Sequence, residues 1–194
     1  MASDALVRAF FAVELAAELR REAGDVSSAL RSRVEPGIEV RWTRPEGWHV
    51  TLRFLGEFVA RRLAELLVAA RQSVAGLAPF ELRLASAIAF PPRRARVLAL
   101  DLAPHPPLAQ LAGALERVAV THGFEPETRA FKPHLTLGRV RSGQLGAREI
   151  AGVAADGVAV QTVRDIVLFR SELHSSGARY TPLERVVLGS NVHP

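Results

Sequence analysis

The sequence predicts an α+β protein of two lobes, and three observations lead there. Short apolar runs of strand length alternate along the 194 residues with segments whose apolar positions recur three and four apart. A tetrapeptide of the form His, apolar, Thr, apolar occurs twice, at His49-Val50-Thr51-Leu52 and at His134-Leu135-Thr136-Leu137, nearly half a chain apart. No linker-like or low-complexity run separates the copies. One domain over residues 1–194, carrying an internal duplication, is the expected organisation.

In chain order, Arg8-Ala9-Phe10-Phe11-Ala12-Val13 has the apolar density of a buried strand. Leu15, Leu19, Ala23, Val26 and Leu30 then fall at helical spacing, with charges between them. Pro36-Gly37 breaks the chain before a short strand over 38–42, and Arg44-Pro45-Glu46-Gly47 turns into a strand over 48–54 that Gly56 ends. Leu63, Leu66, Leu67, Ala70 and Val74 form a helical stripe, and Phe80-Glu81-Leu82-Arg83-Leu84 alternates as a half-buried strand running on to Phe90. The Pro91-Pro92-Arg93-Arg94 turn returns a hairpin partner over 95–102. Pro104 and Pro106-Pro107 open a third helix, with Leu108, Leu111, Leu115 and Val118 on one face and Gly123 at its close. The second motif strand covers 134–140. Residues 142–156 read as a loop with a short helix, 158–169 as an interrupted strand, Ser175-Ser176-Gly177 as a turn and 180–188 as the last strand.

Composition narrows the class. There is no cysteine, which excludes disulfides and thiolate zinc sites and fits a reducing cytoplasm. Residues 1–11 carry Asp4 and Arg8 and lack the apolar core of a signal peptide, and no run reaches membrane-span length, so a soluble cytoplasmic monomer is expected. Net charge is +5, and Lys132 is the only lysine among 25 basic residues. That balance suits an anionic partner such as RNA, although arginine and alanine richness also follows from codon bias.

On a strand, the His and Thr of each motif share one face and the apolar pair takes the other. Two imidazoles across a cleft supply a neutral base for an attacking water and a protonated acid for a leaving oxygen. Two Thr hydroxyls can donate to non-bridging oxygens as charge builds on them. The set suits phosphoryl transfer at a phosphodiester without a metal or other cofactor. It suits acyl transfer poorly, because no Ser or Cys is paired with a base, and neither motif carries the further ligands of a metal site.

The residues around the motifs carry a resemblance. Arg8-Ala9-Phe10-Phe11-Ala12-Val13, the run from Arg41-Trp42 through Leu55-Gly56, Phe131-Lys132-Pro133-His134-Leu135-Thr136-Leu137, Arg170-Ser171-Glu172-Leu173 and Ala178-Arg179-Tyr180 resemble, in order, the 2H phosphoesterase superfamily. Within it the chain is most similar to the RNA 2′,3′-cyclic phosphodiesterases, also called 2′-5′ RNA ligases. The resemblance implies a bilobal α+β fold, two antiparallel sheets lining a central cleft with helices outside. It also implies hydrolysis of a terminal 2′,3′-cyclic phosphate on RNA ends or nucleotides to a 2′-phosphate, with 2′-5′ ligation as the reverse. By the same analogy His49 is the proton donor, His134 the acceptor, and Thr51 and Thr136 hold the phosphate oxygens. A nucleotide or RNA-end binding module without turnover, and a phosphodiesterase of small cyclic or 2′-5′-linked nucleotides, are the alternatives.

Four further residues are candidates for substrate binding. Phe10 alternates away from the Phe11–Val13 core face, where it either stacks on a base or packs. Tyr180, the one tyrosine, can stack or hydrogen-bond. Lys132 and Arg129 precede the second motif, either meeting RNA phosphates or simply solvated, and the same choice applies to Arg93, Arg94 and Arg96 at the hairpin tip. His105 in a Pro-rich turn, His122 at a helix end, His174 in a loop and His193 in the terminal tail lack the motif's context and are poor candidates.

Overall fold

A computed structural model describes residues 4–92, 94–174 and 177–189. Among these residues nine strands and three α-helices follow one another as β1 (Leu6–Glu14), α1 (Ala17–Arg33), β2 (Glu39–Trp42), β3 (His49–Val59), α2 (Leu63–Val74), β4 (Phe80–Phe90), β5 (Val97–Ala103), α3 (His105–Thr121), β6 (His134–Ser142), β7 (Gln161–Val163), β8 (Asp165–His174) and β9 (Gly177–Val187). All strand pairings are antiparallel. The order across the sheet is β7-β4-β5-β6-β3-β1-β8-β9, with β2 also on β6, so the sheets of the two lobes join through β3 and β6 into one. The fold is the expected α+β architecture, with helices on one face of the sheet and the two motifs on the other.

The lobes are not the two halves of the chain. The helix that follows β1 packs on β4, and the α3 helix that follows β5 packs on β3. The β2 strand, from the first half, is hydrogen-bonded to β6 of the second. One continuous core results: Phe11, Val13, Leu19, Leu30, Val50, Leu66, Leu100, Leu115, Leu135 and Leu168 all belong to it. Phe10, Ala12, Val167 and Phe169 form a small separate cluster on the opposite face of the sheet. That split is the strand alternation expected of Phe10 and Phe11.

Three elements depart from expectation. Gly56 does not end its strand: the register slips at Leu55, Gly56 takes φ 71°, and β3 runs on to Val59 as a glycine-assisted bulge. The 142–156 segment forms turns rather than a short helix. The interrupted strand begins at Gln161, breaks at Arg164 and runs on to His174, which is strand rather than loop because it pairs with Gly177 of β9. Arg93, Ser175, Ser176 and His193 lie outside the described residues.

Candidate active site

Both motif strands bring their histidine to the same place by the same means. His49 opens β3 and His134 opens β6, and Val50 pairs with Leu135. In an antiparallel register this sets His49 across from Thr136 and Thr51 across from His134. Val50, Leu52, Leu135 and Leu137 all turn into the main core, so the four polar side chains share the other face. An imidazole faces a hydroxyl twice, crosswise.

The rings are fixed by their own backbones. Nδ1 of His49 lies 2.8 Å from the Gly47 carbonyl oxygen, and Nδ1 of His134 lies 2.7 Å from that of Lys132. A carbonyl only accepts, so Nδ1 carries the hydrogen in both rings and Nε2 is the free nitrogen. The turn presenting Gly47 is anchored by Arg20, whose Nη1 donates to the Pro45 carbonyl at 2.6 Å.

The surroundings of the two imidazoles differ. His49 is ringed by Phe10, Tyr180 and Phe169, with centroids at 4.7, 4.9 and 6.2 Å. His134 meets Phe90 edge-on at 4.9 Å. Burial among aromatics holds His49 down to about 4, against the pull of the Gly47 carbonyl, and the charges of His134 and Arg20 add to the depression. His134 is also lowered, first by burial and then by Arg139, with the Lys132 carbonyl opposing. Both are neutral in the free protein at pH 7.

A shared irregularity shapes the rest of the cleft. Register skips Leu52 in β3 against β1, and it skips Leu137 in β6 against β5. Each bulge lies three residues after its histidine and brings the fifth residue after it onto the histidine's face. In one copy that residue is Phe54; in the other it is Arg139. Phe54 is 50% exposed and stands 5.4 Å from Phe10. The Arg139 charge is felt by both His134 and Tyr180, and Arg8 also acts on Tyr180. Regular alternation would put an odd offset on the opposite face, so alternation alone does not place Phe54 and Arg139 beside the histidines. The signal was the repeat itself, Leu-x-Phe against Leu-x-Arg after the same motif.

Of the expected binding residues, Phe10 is on the cleft face but only 1% exposed. It is the floor beneath His49, Phe54, Phe169 and Tyr180, and the open aromatic surface is Phe54. Tyr180 packs edge-on against His49 and Phe10, and burial raises its hydroxyl. Lys132 contributes its carbonyl to His134; its ammonium and the exposed Arg129 guanidinium make no contact with the four motif side chains among the described residues. His105 pairs with Asp101 and His122 donates to the Val118 carbonyl, apart from the motifs. Among the described residues no three His, Cys, Asp or Glu side chains gather as a metal site, and no helix is long and apolar enough to cross a membrane.

Known proteins match this chain over most of its length. Residues 40–174 match the family model described as the 2′-5′ RNA ligase superfamily. A protein named RNA 2′,3′-cyclic phosphodiesterase from Methanothermobacter thermautotrophicus is 33% identical over 183 residues, covering 92% of this chain and 97% of its own. One of the same name from Escherichia coli K12 is 33% identical over 184 residues, covering 93% and 96%. Among solved structures, E. coli LigT complexed with 3′-AMP superposes with a TM-score of 0.79 at 29% identity, over 95% of this chain and 99% of that one.

Proposed function

The chain belongs to the 2′-5′ RNA ligase superfamily, and from that premise we propose that it hydrolyses a terminal 2′,3′-cyclic phosphate on RNA to a 2′-phosphate. The observation that carries this is the crosswise His–Thr pair of pairs, each imidazole pinned through Nδ1 with Nε2 free.

Water attacks phosphorus in line with the 3′-oxygen. The new P–O bond forms as P–O3′ breaks. Nε2 of His134 takes the water proton, and Nε2 of His49 gives its proton to O3′. With its free value near 4, His49 acquires that proton as the phosphate arrives, because a neighbouring anion raises an imidazole. The hydroxyls of Thr51 and Thr136 donate to the non-bridging oxygens, and no metal takes part. Phe54, half exposed and backed by Phe10, offers the terminal base a stacking surface. Arg139 supplies positive charge on the phosphate side. With an RNA 5′-hydroxyl as the entering or leaving group, the same site makes or breaks a 2′-5′ linkage.

The test is an oligoribonucleotide ending in 2′,3′-cyclic phosphate, incubated in excess EDTA and followed by phosphorus NMR. A 2′-monophosphate product, reduced about 10²-fold or more in His49→Ala and in His134→Ala, is expected. Binding without turnover would make the two motifs a ligand cradle, and loss of activity in EDTA would bring a metal into the mechanism.

A further inference from the structure

Arg41 of β2 stands directly across from Arg139 of β6. Its neighbours Val40 and Trp42 pack inward with Val140 and Leu98, so Arg41 points to the same face as Arg139, the cleft face. Like charges directly opposite on paired strands repel. Among the described residues neither guanidinium has a carboxylate partner, although nine other described arginines are paired with acids. The pair is one strand spacing apart, about 5 Å, and it leads outward from the histidines: Arg139 acts on His134 and Tyr180, and Arg41 lies beyond it. Two adjacent, uncompensated cations in a row away from a phosphate site are a track for a second phosphate.

We propose that Arg41 binds the internucleotide phosphate 5′ to the terminal cyclic phosphate. The enzyme thereby favours RNA oligonucleotides over cyclic mononucleotides. This rests on the hydrolase reading of the site. It also orients the substrate: the terminal base lies over Phe54 in one lobe, and the backbone leaves the cleft over Arg139 and then Arg41 in the other.

The experiment compares adenosine 2′,3′-cyclic phosphate, which has no upstream phosphate, with a trinucleotide ending in 2′,3′-cyclic phosphate. Arg41→Ala removes an exposed side chain, and Arg117→Ala, on the exposed side of α3, removes the same charge elsewhere. Expected is a loss of about tenfold in kcat/KM for Arg41→Ala on the trinucleotide, the order of one charge-assisted contact, with the mononucleotide unchanged. The slope of log(kcat/KM) against log[salt] on the trinucleotide becomes shallower by about 0.7, one single-strand phosphate contact. Equal effects on both substrates, no effect on either, or the same loss in Arg117→Ala overturns the proposal while leaving the hydrolase reading in place. Absence of wild-type turnover on both substrates overturns the hydrolase reading, and the proposal with it.

Discussion

Val50 lies directly across from Leu135, and at that one pair the two motif strands are joined. Neither residue does any chemistry. Both are fully buried, and their burial fixes which way the residues beside them point. A one-residue slip of this register would turn His49 and Thr51 into the core. The geometry of the candidate site is set by the residues that face away from it.

If Thr51 and Thr136 stabilise charge that builds in the transition state, replacing either with valine, which keeps the shape and removes the hydroxyl, lowers kcat. The expected loss is roughly 10²–10³-fold for one donor, with KM little altered. Steady-state kinetics on a cyclic-phosphate oligonucleotide separate the two constants.

The pH dependence has a defined sign. The proposed mechanism needs one imidazole protonated and one neutral, yet both are depressed in the free protein, His49 to about 4. The kcat/KM profile reports the free protein and so has its optimum on the acid side of 6.5. The kcat profile reports the complex, where the phosphate raises the imidazoles, and its optimum sits at higher pH. Coincident optima would remove the role given to the substrate's charge. Folding stability moves with the same groups: the folded state binds fewer protons between the folded and unfolded values, so stability falls as pH drops from about 6.5 towards 4.

Arg53, behind the site on β3, is 7% exposed and forms an ion pair with Glu116 of α3, while also donating to the Phe54 and Glu125 carbonyls. Glu116→Gln keeps the shape and removes the charge. The expected cost is about 1.5–3 kcal/mol, or roughly 3–12 °C in Tm for a chain of this size. Thermal unfolding measures it directly.

Gly138 admits no side chain, because a Cβ there would stand 2.8 Å from Val40 Cγ1 and 3.3 Å from the Trp42 ring. Gly138→Ala should cost about 1–3 kcal/mol as overpacking and push β2 away from β6. Since Arg41 rides on β2, the variant should also lose discrimination between oligonucleotide and mononucleotide. Chemical denaturation and the two-substrate comparison test the two effects separately.

The parts of this structure legible in the sequence are those set by local periodicity. Leu63, Leu66, Ala70 and Val74 place α2, and the alternation of Phe10 and Phe11 assigns their faces. The His–Thr faces follow from the same rule. What the sequence hid depends on breaks in that rule. The bulges at Leu52 and Leu137 move Phe54 and Arg139 onto the working face, and Gly56 continues a strand where glycine ordinarily stops one. Partner choice across the chain was equally hidden, since nothing local in residues 39–42 says that β2 joins β6. Phe90 and Phe169 reach the histidines only through such long-range pairings.

The exchange of helices between lobes has a mechanical consequence. The α1 helix grows out of one lobe and seals the other, and α3 returns the favour. Each lobe is therefore roofed by a helix that the other lobe's strands launch. Cleavage at the Pro91-Pro92 turn would leave α1 and β4 in one fragment but part α3 from the β3 strand it covers. The first fragment would keep that cover only while the second stayed docked on it.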